Sequence, residues 1–323
     1  MKVLFIGGTG TISSACSEYC IKKGHELFLY NRGQSIKKPA EGANVIEGDY
    51  KNRKLTHSLL NNRYFDIIVN WLAFTPDDID FDINLFHDNV GHYFFISSAT
   101  VYKRPASAIP ITEAEPLENK GFDYPKNKIL CELRLYKEDR FPFTIIRPSH
   151  TYDKTTIPMD GGYTTLHRLI HGERILLHGE GTALWTLTSN KDFAKGLVGL
   201  FENKNAFRES FHITSDEVLN WNQIVDCFAQ QFNVNPLLAY LPSHVIARYD
   251  KNWGNAILGD KTFSCVFDNS KIKSFVPDFS CDIPFAEGVK EICDWYSSED
   301  NHFEVDPVMN ERIDNMIKAG HIL

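Results

Sequence analysis

The chain has 323 residues, of which 43% are hydrophobic and 24% are charged, the composition of a globular protein with a sizeable core. Its formal net charge of −8 argues against nucleic acid as the main partner. The sequence has no apolar stretch as long as a membrane span and no signal-peptide pattern at its start, so we expect a cytoplasmic protein without a membrane partner.

The cysteines are scattered and odd in number, which is typical neither of a disulfide framework nor of a zinc site. They are Cys16, Cys20, Cys131, Cys227, Cys265, Cys281 and Cys293. We therefore expect reduced thiols, most of them buried, and no metal site.

The chain opens on an apolar run, residues 3–6, that ends abruptly at Gly7-Gly8-Thr9-Gly10. A helical pattern then runs from about Thr11 to Lys23, and Ile12 lies in its first turn. A strand, a glycine turn and a helix in this order form a phosphate cradle, because the backbone approaches closely and the helix dipole faces the anion. Ser13 replaces the third glycine of the usual fingerprint. An ordinary strand-to-helix turn is the alternative.

Strands and helices then alternate over some 150 residues. Further strands are predicted at 27–30, 45–46, 67–71, 93–97 and 143–147, with helices at 54–64, at 78–89 and from near Tyr124. Apolar strands separated by helices predict a doubly wound parallel α/β sheet of the Rossmann type.

This alternation stops after Arg147. Residues 148–162 have a loop-like composition, 179–181 mark a turn, and helical patterns occupy 192–201 and 220–232. We expect a dinucleotide-binding domain at 1–149, rejoined by about 186–218. A smaller mixed α/β substrate domain is expected from 150–185 and 219–323.

The residues after the second strand bear on the choice of nucleotide. In dinucleotide folds an acidic residue there takes the ribose hydroxyls, and an arginine accepts a 2′-phosphate. This chain has Asn31 and Arg32 in that stretch and no acid. A guanidinium pairs with a phosphate, so NADP is favoured over NAD. The alternative is that Arg32 is a solvated turn residue.

Two further stretches are candidates for the cofactor. Asp49, next to Tyr50, is expected to meet the adenine amino group. Leu72, Ala73 and Phe74 are expected to line the adenosine or nicotinamide ribose.

A Tyr-x-x-x-Lys pair, Tyr124 and Lys128, follows later in the chain. The spacing alone is weak, since Tyr19 and Tyr50 have lysines at the same distance. Only Tyr124 follows a strand that ends in hydroxyl residues, at 96–102, which include Ser98. Pro125 is compatible with the first turn of a helix.

This set suits proton transfer coupled to hydride transfer. Tyrosine has a pKa of about 10, and a lysine one helical turn away together with a positive nicotinamide favours the phenolate. Ser98 would hydrogen-bond the substrate oxygen, and Lys128 would hold the nicotinamide ribose.

Taken together, the motifs resemble the extended short-chain dehydrogenases/reductases of the NAD-dependent epimerase/dehydratase family. The matching pieces are GGTGTI (7–12), GDY (48–50), NWLAF (70–74), ISSATVY (96–102), YPKNK (124–128), RPSHTY (147–152), GEG (179–181), KDFA (191–194) and FHITSDE (211–217). The resemblance implies catalytic roles for Ser98, Tyr124 and Lys128. It also implies a homodimer that packs the helix bearing Tyr124 into a four-helix bundle.

The chain departs from this family after Ser98. Sugar-nucleotide 4,6-dehydratases of the family usually have an Asp-Glu pair there, and related decarboxylases a glutamate, whereas this chain has Ala99 and Thr100. The resemblance therefore leaves oxidation or reduction of a hydroxyl or keto group, or epimerisation through a keto intermediate.

Three residues are expected to contact the substrate: Thr100, His150 and Trp185. His150 replaces an asparagine and Trp185 an arginine that resembling members use toward nucleotide diphosphates, and an indole cannot clamp a diphosphate. Trp185 either stacks on a sugar ring or belongs to the core. His150 is either a polar substrate contact, a proton carrier or a structural histidine. We expect a small, carbohydrate-like substrate.

Two hypotheses other than an enzyme remain open. The chain also resembles atypical members that bind RNA in chloroplasts, so a non-catalytic nucleotide- or RNA-binding protein is the main alternative to an enzyme. The third reading is an NADP-sensing regulator. An intact Ser98, Tyr124 and Lys128 set and the absence of a basic stripe favour the enzyme.

Overall fold

The computed structural model describes residues 1–119, 121–298 and 303–320. Its strands are β1 (Lys2–Ile6), β2 (Glu26–Asn31), β3 (Asn44–Glu47), β4 (Phe65–Asn70), β5 (Val90–Ile96), β6 (Phe143–Pro148), β7 (His150–Tyr152), β8 (Arg174–His178), β9 (Leu184–Trp185), β10 (Leu187–Ser189), β11 (Ser210–Ile213), β12 (Leu219–Asn220) and β13 (Leu237–Leu241).

Up to residue 199 the described chain forms six α-helices. They are α1 (Thr11–Lys22), α2 (Arg53–Leu60), α3 (Pro76–Phe86), α4 (Asp123–Tyr136), α5 (Gly162–Ile170) and α6 (Asn190–Gly199). The later helices are α7 (Trp221–Phe232), α8 (Ser243–Tyr249), α9 (Lys251–Ala256) with a π-helical continuation (Ile257–Lys261), α10 (Ser270–Phe275), α11 (Phe285–Tyr296) and α12 (Pro307–Gly320). Short 3₁₀ turns lie at Ala99–Val101 and Lys204–Ala206.

Seven strands form one parallel sheet in the order β11-β6-β5-β4-β1-β2-β3. The strand order reverses between β1 and β4, which is where ligands bind in sheets of this kind. The predicted doubly wound α/β fold is confirmed.

The two faces of this sheet are both covered. Alternate residues of β1 point to opposite sides, so Val3 and Phe5 join one core while Leu4 and Ile6 join the other. The first core includes Cys16 and Cys20 of α1, so both thiols lie on the inner face of this helix. All seven cysteines are free thiols, and five of them are buried.

The chain after β6 builds smaller sheets of two strands each, which pair β7 with β10, β9 with β12 and β8 with β13. The loop expected at 148–162 is therefore wrong in part, because β7 lies within it and pairs in parallel with β10. A strand of three residues is too short to show a hydrophobic period, and its partner lies far along the chain.

A separate core holds these sheets together with α5, α7 and α11. Trp185, Trp221 and Phe285 are among its buried residues. The chain also returns to the sheet core at Ile272 and Phe279, beside α10. In the part of the chain that the structure describes, no helix is both long enough and apolar enough to cross a membrane.

Candidate active site

The turn between β1 and α1 has the geometry of a phosphate cradle. Gly7 and Gly8 have φ values of +111° and +109°, which strain any residue with a side chain. A Cβ at Gly8 would lie 2.5 Å from a methyl carbon of Leu29. The first turn of α1 carries no acidic side chain, so the positive end of its dipole is uncompensated there. Ser13 accepts a 2.8 Å hydrogen bond from the Gly10 N–H.

A cleft of about 720 Å³ lies against this turn, within the roughly 300–1,000 Å³ range of small-molecule sites. Twelve of the thirteen expected cofactor residues line it. They are Gly7, Gly10, Thr11, Ile12, Asn31, Arg32, Asp49, Tyr50, Leu72, Phe74, Tyr124 and Lys128. Tyr50 presents its ring there, while its hydroxyl donates a 2.9 Å hydrogen bond to buried Asp82.

Ala73 is the exception, because its side chain is fully buried beneath the cleft. Its contribution comes from the backbone, since the Ala73 carbonyl accepts a 2.7 Å hydrogen bond from Lys128 Nζ. Sequence reasoning missed Trp71, Ser35 and Lys51, which also line the cleft. Ser35 follows Arg32 closely, but the fold of its loop back onto the glycine turn, with a 3.4 Å bond to the Thr9 carbonyl, has no sequence signal.

Two buried polar atoms of the lining residues lack a hydrogen-bond partner within the described chain, Asn31 Nδ2 and Trp71 Nε1. The Asn31 amide is held in place, because its oxygen accepts a 2.9 Å bond from Gly33 N–H. Buried donors of this kind normally have partners, so the cleft suits a ligand rich in acceptor atoms. Together with the glycine turn, this donor set fits a nicotinamide dinucleotide.

Lys128 lies at the end of the cleft, on α4. Its side chain is buried, and Nζ donates 2.7 Å hydrogen bonds to the carbonyls of Ala73 and Ile96. Burial lowers the pKa of Lys128 to about 8, with opposing contributions from Cys131 and Glu132. Two of its three N–H groups are thus used by the protein, which leaves one for a ligand.

Ser98 accepts two hydrogen bonds from one residue. The backbone N–H of Thr100 lies 3.2 Å and its hydroxyl 2.9 Å from Ser98 Oγ. With both lone pairs occupied, Ser98 can take part in a further hydrogen bond only as the donor.

Tyr124 exposes 38% of its surface. Burial is nevertheless the largest influence on its pKa and raises it, while a hydrogen bond with Ser98 lowers it. The predicted stabilisation of the phenolate rests on the charges of Lys128 and of a bound nicotinamide, and burial acts on the Tyr124 pKa in the opposite direction.

A buried ion pair connects the elements that carry Ser98, Tyr124 and Lys128. Arg147 of β6 and Glu132 of α4 form a bidentate ion pair, with N–O distances of 3.1 and 2.6 Å. Ser97, next to Ser98, donates a 2.5 Å bond to the same carboxylate. A buried pair of this geometry fixes α4 against the carboxyl ends of β5 and β6.

A second cavity, of about 250 Å³, adjoins the cleft at Pro148. Ser98 lines it, together with all three residues expected to contact a substrate: Thr100, His150 and Trp185. Trp185 is also core, because it is only 3% exposed. Its indole N–H donates a 3.1 Å bond to His150 Nδ1, and burial lowers the pKa of His150 to about 3. This histidine is therefore neutral near pH 7.

The family model for the NAD dependent epimerase/dehydratase family matches residues 3–213, more than half of the chain. The chain belongs to this family.

Among curated proteins, the chain is similar to the chloroplast stem-loop binding protein of 41 kDa b of Arabidopsis thaliana, with 25% identity over 71% of the chain and 62% of that protein. It is also 26% identical to a UDP-glucose 4-epimerase of Lactobacillus helveticus, over 46% of the chain and 51% of that protein. The chain thus spans less than two thirds of the length of either relative.

Solved structures share the fold at low identity. A UDP-glucose 4-epimerase from Thermotoga maritima, with UDP-glucose, has a TM-score of 0.73 and 16% identity, over 92% of this chain and 98% of that one. A dTDP-glucose 4,6-dehydratase from Bacillus anthracis, in complex with NAD, has the same TM-score and identity over 94% and 98%.

Proposed function

We propose that the protein is an NAD(P)-dependent oxidoreductase or epimerase that acts on a hydroxyl or keto group of a small, carbohydrate-like molecule. The observation that carries this proposal is the meeting of Ser98, Tyr124 and Lys128 where the cofactor cleft joins the second cavity. Family membership supports it, as do fold neighbours described in complex with NAD or a nucleotide sugar.

In the proposed mechanism, Tyr124 moves the proton. Its hydroxyl would give a proton to the substrate oxygen during reduction, and its phenolate would take one during oxidation. A nicotinamide held in the cleft would provide the hydride chemistry. Ser98 would donate a hydrogen bond to the same substrate oxygen once a substrate is bound, because Thr100 already occupies its lone pairs.

Lys128 supports this step by its charge and its remaining N–H group. Two backbone carbonyls hold the ammonium group in the cleft, and the third N–H would bind the nicotinamide ribose. A fixed positive charge beside Tyr124 stabilises the phenolate that forms after proton donation.

We propose NADP as the preferred cofactor and NAD as the alternative. Arg32 is exposed, lines the cleft and has no acidic residue beside it in the sequence, so its guanidinium is available to a 2′-phosphate. The sheet domain would bind this cofactor, with segments from 150–185 and 219–323 covering the substrate.

We also propose a homodimer through α4. Leu130 and Leu133 are each 49% exposed on this helix, an apolar surface next to the Tyr124 end of the site. Sedimentation of the purified protein measures this directly, and a monomer at micromolar concentration would contradict it.

The activity is tested by single-turnover mixing of the enzyme–cofactor complex with a panel of sugars and polyols, followed through the absorbance of the reduced nicotinamide. A change in absorbance that Tyr124→Phe abolishes supports the proposal. Binding of cofactor without oxidation or reduction by any compound would favour the NADP-sensing regulator.

A second candidate is a nucleotide- or RNA-binding protein without catalysis. It is favoured by similarity to a protein named for stem-loop binding. Against it stands the net charge of −8. Electrophoretic retardation of a stem-loop RNA distinguishes the two, since the enzyme proposal expects no retardation at physiological salt.

A further inference from the structure

We propose that the second cavity binds an uncharged polyhydroxy group of monosaccharide size, and not a sugar joined to a nucleoside diphosphate. The inference rests on the proposed function and names the substrate class of the same site.

The cations of this cavity are already neutralised by the protein. Arg104, whose side chain is 4% exposed, donates from Nε to Asp260 at 2.9 Å. Its other two nitrogens donate to the carbonyls of Lys103 and Ala99. Three of the five N–H groups of the guanidinium are therefore engaged, and its positive charge is already paired with the Asp260 carboxylate.

The second cation, Lys261, forms an ion pair with Asp160. Two cations thus face two carboxylates, so the four groups sum to no net charge. Burial raises the pKa of Asp260, and the Arg104 guanidinium opposes that rise. A diphosphate would enter this site beside the Asp260 carboxylate without a free cation to meet it, which is costly in a poorly solvated cavity.

The remaining polar groups suit hydroxyls. Because His150 Nδ1 accepts the Trp185 N–H, the neutral imidazole carries its proton on Nε2 and presents a donor. Asp260 Oδ2 has no hydrogen-bond partner within the described residues and is an acceptor. A hydroxyl group both donates and accepts, so a polyol satisfies the two groups together, whereas a phosphate can only accept.

The volume of the second cavity also favours a ligand of monosaccharide size. The cavity of about 250 Å³ falls below the roughly 300–1,000 Å³ of sites for drug-sized ligands. A third cavity, of about 370 Å³, lies at His178, the 179–181 turn and Thr262. Among its described lining residues Glu180 is the one charged group, so this cavity also offers no cation to a phosphate.

The test measures binding to the enzyme saturated with its dinucleotide, by calorimetry or saturation-transfer NMR. The probes are D-glucose, D-galactose, D-mannose and their methyl glycosides, compared with UDP and UDP-glucose. We expect at least one neutral sugar to bind and UDP not to bind. Tighter binding of UDP or UDP-glucose than of every neutral sugar, or no binding by any neutral sugar, would overturn the proposal.

Two variants test whether the paired charges exclude a diphosphate, because each should increase the affinity for UDP. Asp260→Asn removes the partner of Arg104 and Asp160→Asn that of Lys261, so each frees a cation in the site. We expect affinity for UDP to rise about tenfold or more in at least one of them, while Asp226→Asn, on the exposed side of α7, leaves it unchanged. Unchanged UDP affinity in both folded variants would overturn the proposal. Failure of the proposed function is a different result, namely no binding of any nicotinamide dinucleotide.

Discussion

Thr100 Oγ1 donates a hydrogen bond of 2.9 Å to Ser98 Oγ, and the Thr100 backbone N–H donates a second of 3.2 Å. A single residue therefore fixes the direction in which the Ser98 proton points. Thr100 also lines the second cavity, and from this contact we predict that it positions Ser98.

Replacing the Thr100 hydroxyl tests this role. Thr100→Val removes one donor and lets the Ser98 hydroxyl rotate, so we expect turnover to fall about tenfold, or ~1.4 kcal/mol. Dinucleotide affinity should stay unchanged, and the basic limb of the pH–rate profile should move upward, because Ser98 then lowers the Tyr124 pKa less well. Thr100→Ser keeps the hydroxyl and should restore both rate and profile. Equal losses in the Val and Ser variants would indicate a purely structural role.

Tyr124→Phe removes the proposed acid/base and keeps the ring. We expect turnover with any substrate found in the sugar panel to be abolished, while the dissociation constant of the dinucleotide changes little. Stopped-flow absorbance and calorimetry measure the two quantities. Tyr19→Phe, outside the site on α1, is the matched control. Undiminished turnover in Tyr124→Phe would remove this residue from the mechanism.

Arg32→Ala tests the nucleotide preference. If the guanidinium reads the 2′-phosphate, the affinity for NADPH should fall by at least tenfold and that for NADH should barely change. Arg63→Ala removes a cation elsewhere on the sheet domain and serves as the control. Equal losses for both dinucleotides, or none, would show that Arg32 does not contact that phosphate.

The pH dependence of stability follows from buried neutral histidines. Burial lowers the pKa of His92 to about 3, from an unfolded value near 6.5. The unfolded state then binds more protons than the folded state between these values, so this histidine contributes stability above pH 6.5 that is lost as the pH falls toward 3. We expect the contribution of His92 to the free energy of unfolding to fall by about 1.4 kcal/mol for each pH unit in that range.

His92→Phe should reduce this slope by a comparable amount, because a phenylalanine ring does not titrate. The variant should still fold, since the His92 ring centroid already lies 4.3 Å from those of Phe94 and Phe207, and Thr144 keeps its hydrogen bond to the Ala206 carbonyl. Urea unfolding between pH 4 and 7 measures the slope. The exposed His57→Phe is the control. An unaltered slope in His92→Phe would mean that His92 does not titrate with unfolding.

The sheet could be predicted from the sequence because its strands are continuous apolar runs, as in β1 and β4, separated by helical patterns. Helix ends were less predictable. The helix expected from residue 78 begins at Pro76, since Thr75 caps it and accepts from the Asp78 N–H.

The grouping of the expected residues around one cleft could largely be predicted, because most of them follow strands whose carboxyl ends meet at one edge of the sheet. What the sequence did not reveal depends on backbone atoms and on distant partners. The Ala73 carbonyl that binds Lys128 has no side-chain signature, and the tautomer of His150 is set by Trp185, 35 residues away. Desolvation of Tyr124 likewise depends on packing that no local pattern encodes.

Calorimetric titration of the purified protein with NAD, NADH, NADP and NADPH measures dinucleotide binding and requires no knowledge of the substrate. We expect one dinucleotide site per chain, with tighter binding of NADPH than of NADH. We also expect loss of binding in Gly8→Val, where a side chain would meet Leu29. Absence of binding by all four dinucleotides to the folded wild-type protein would contradict the proposed function.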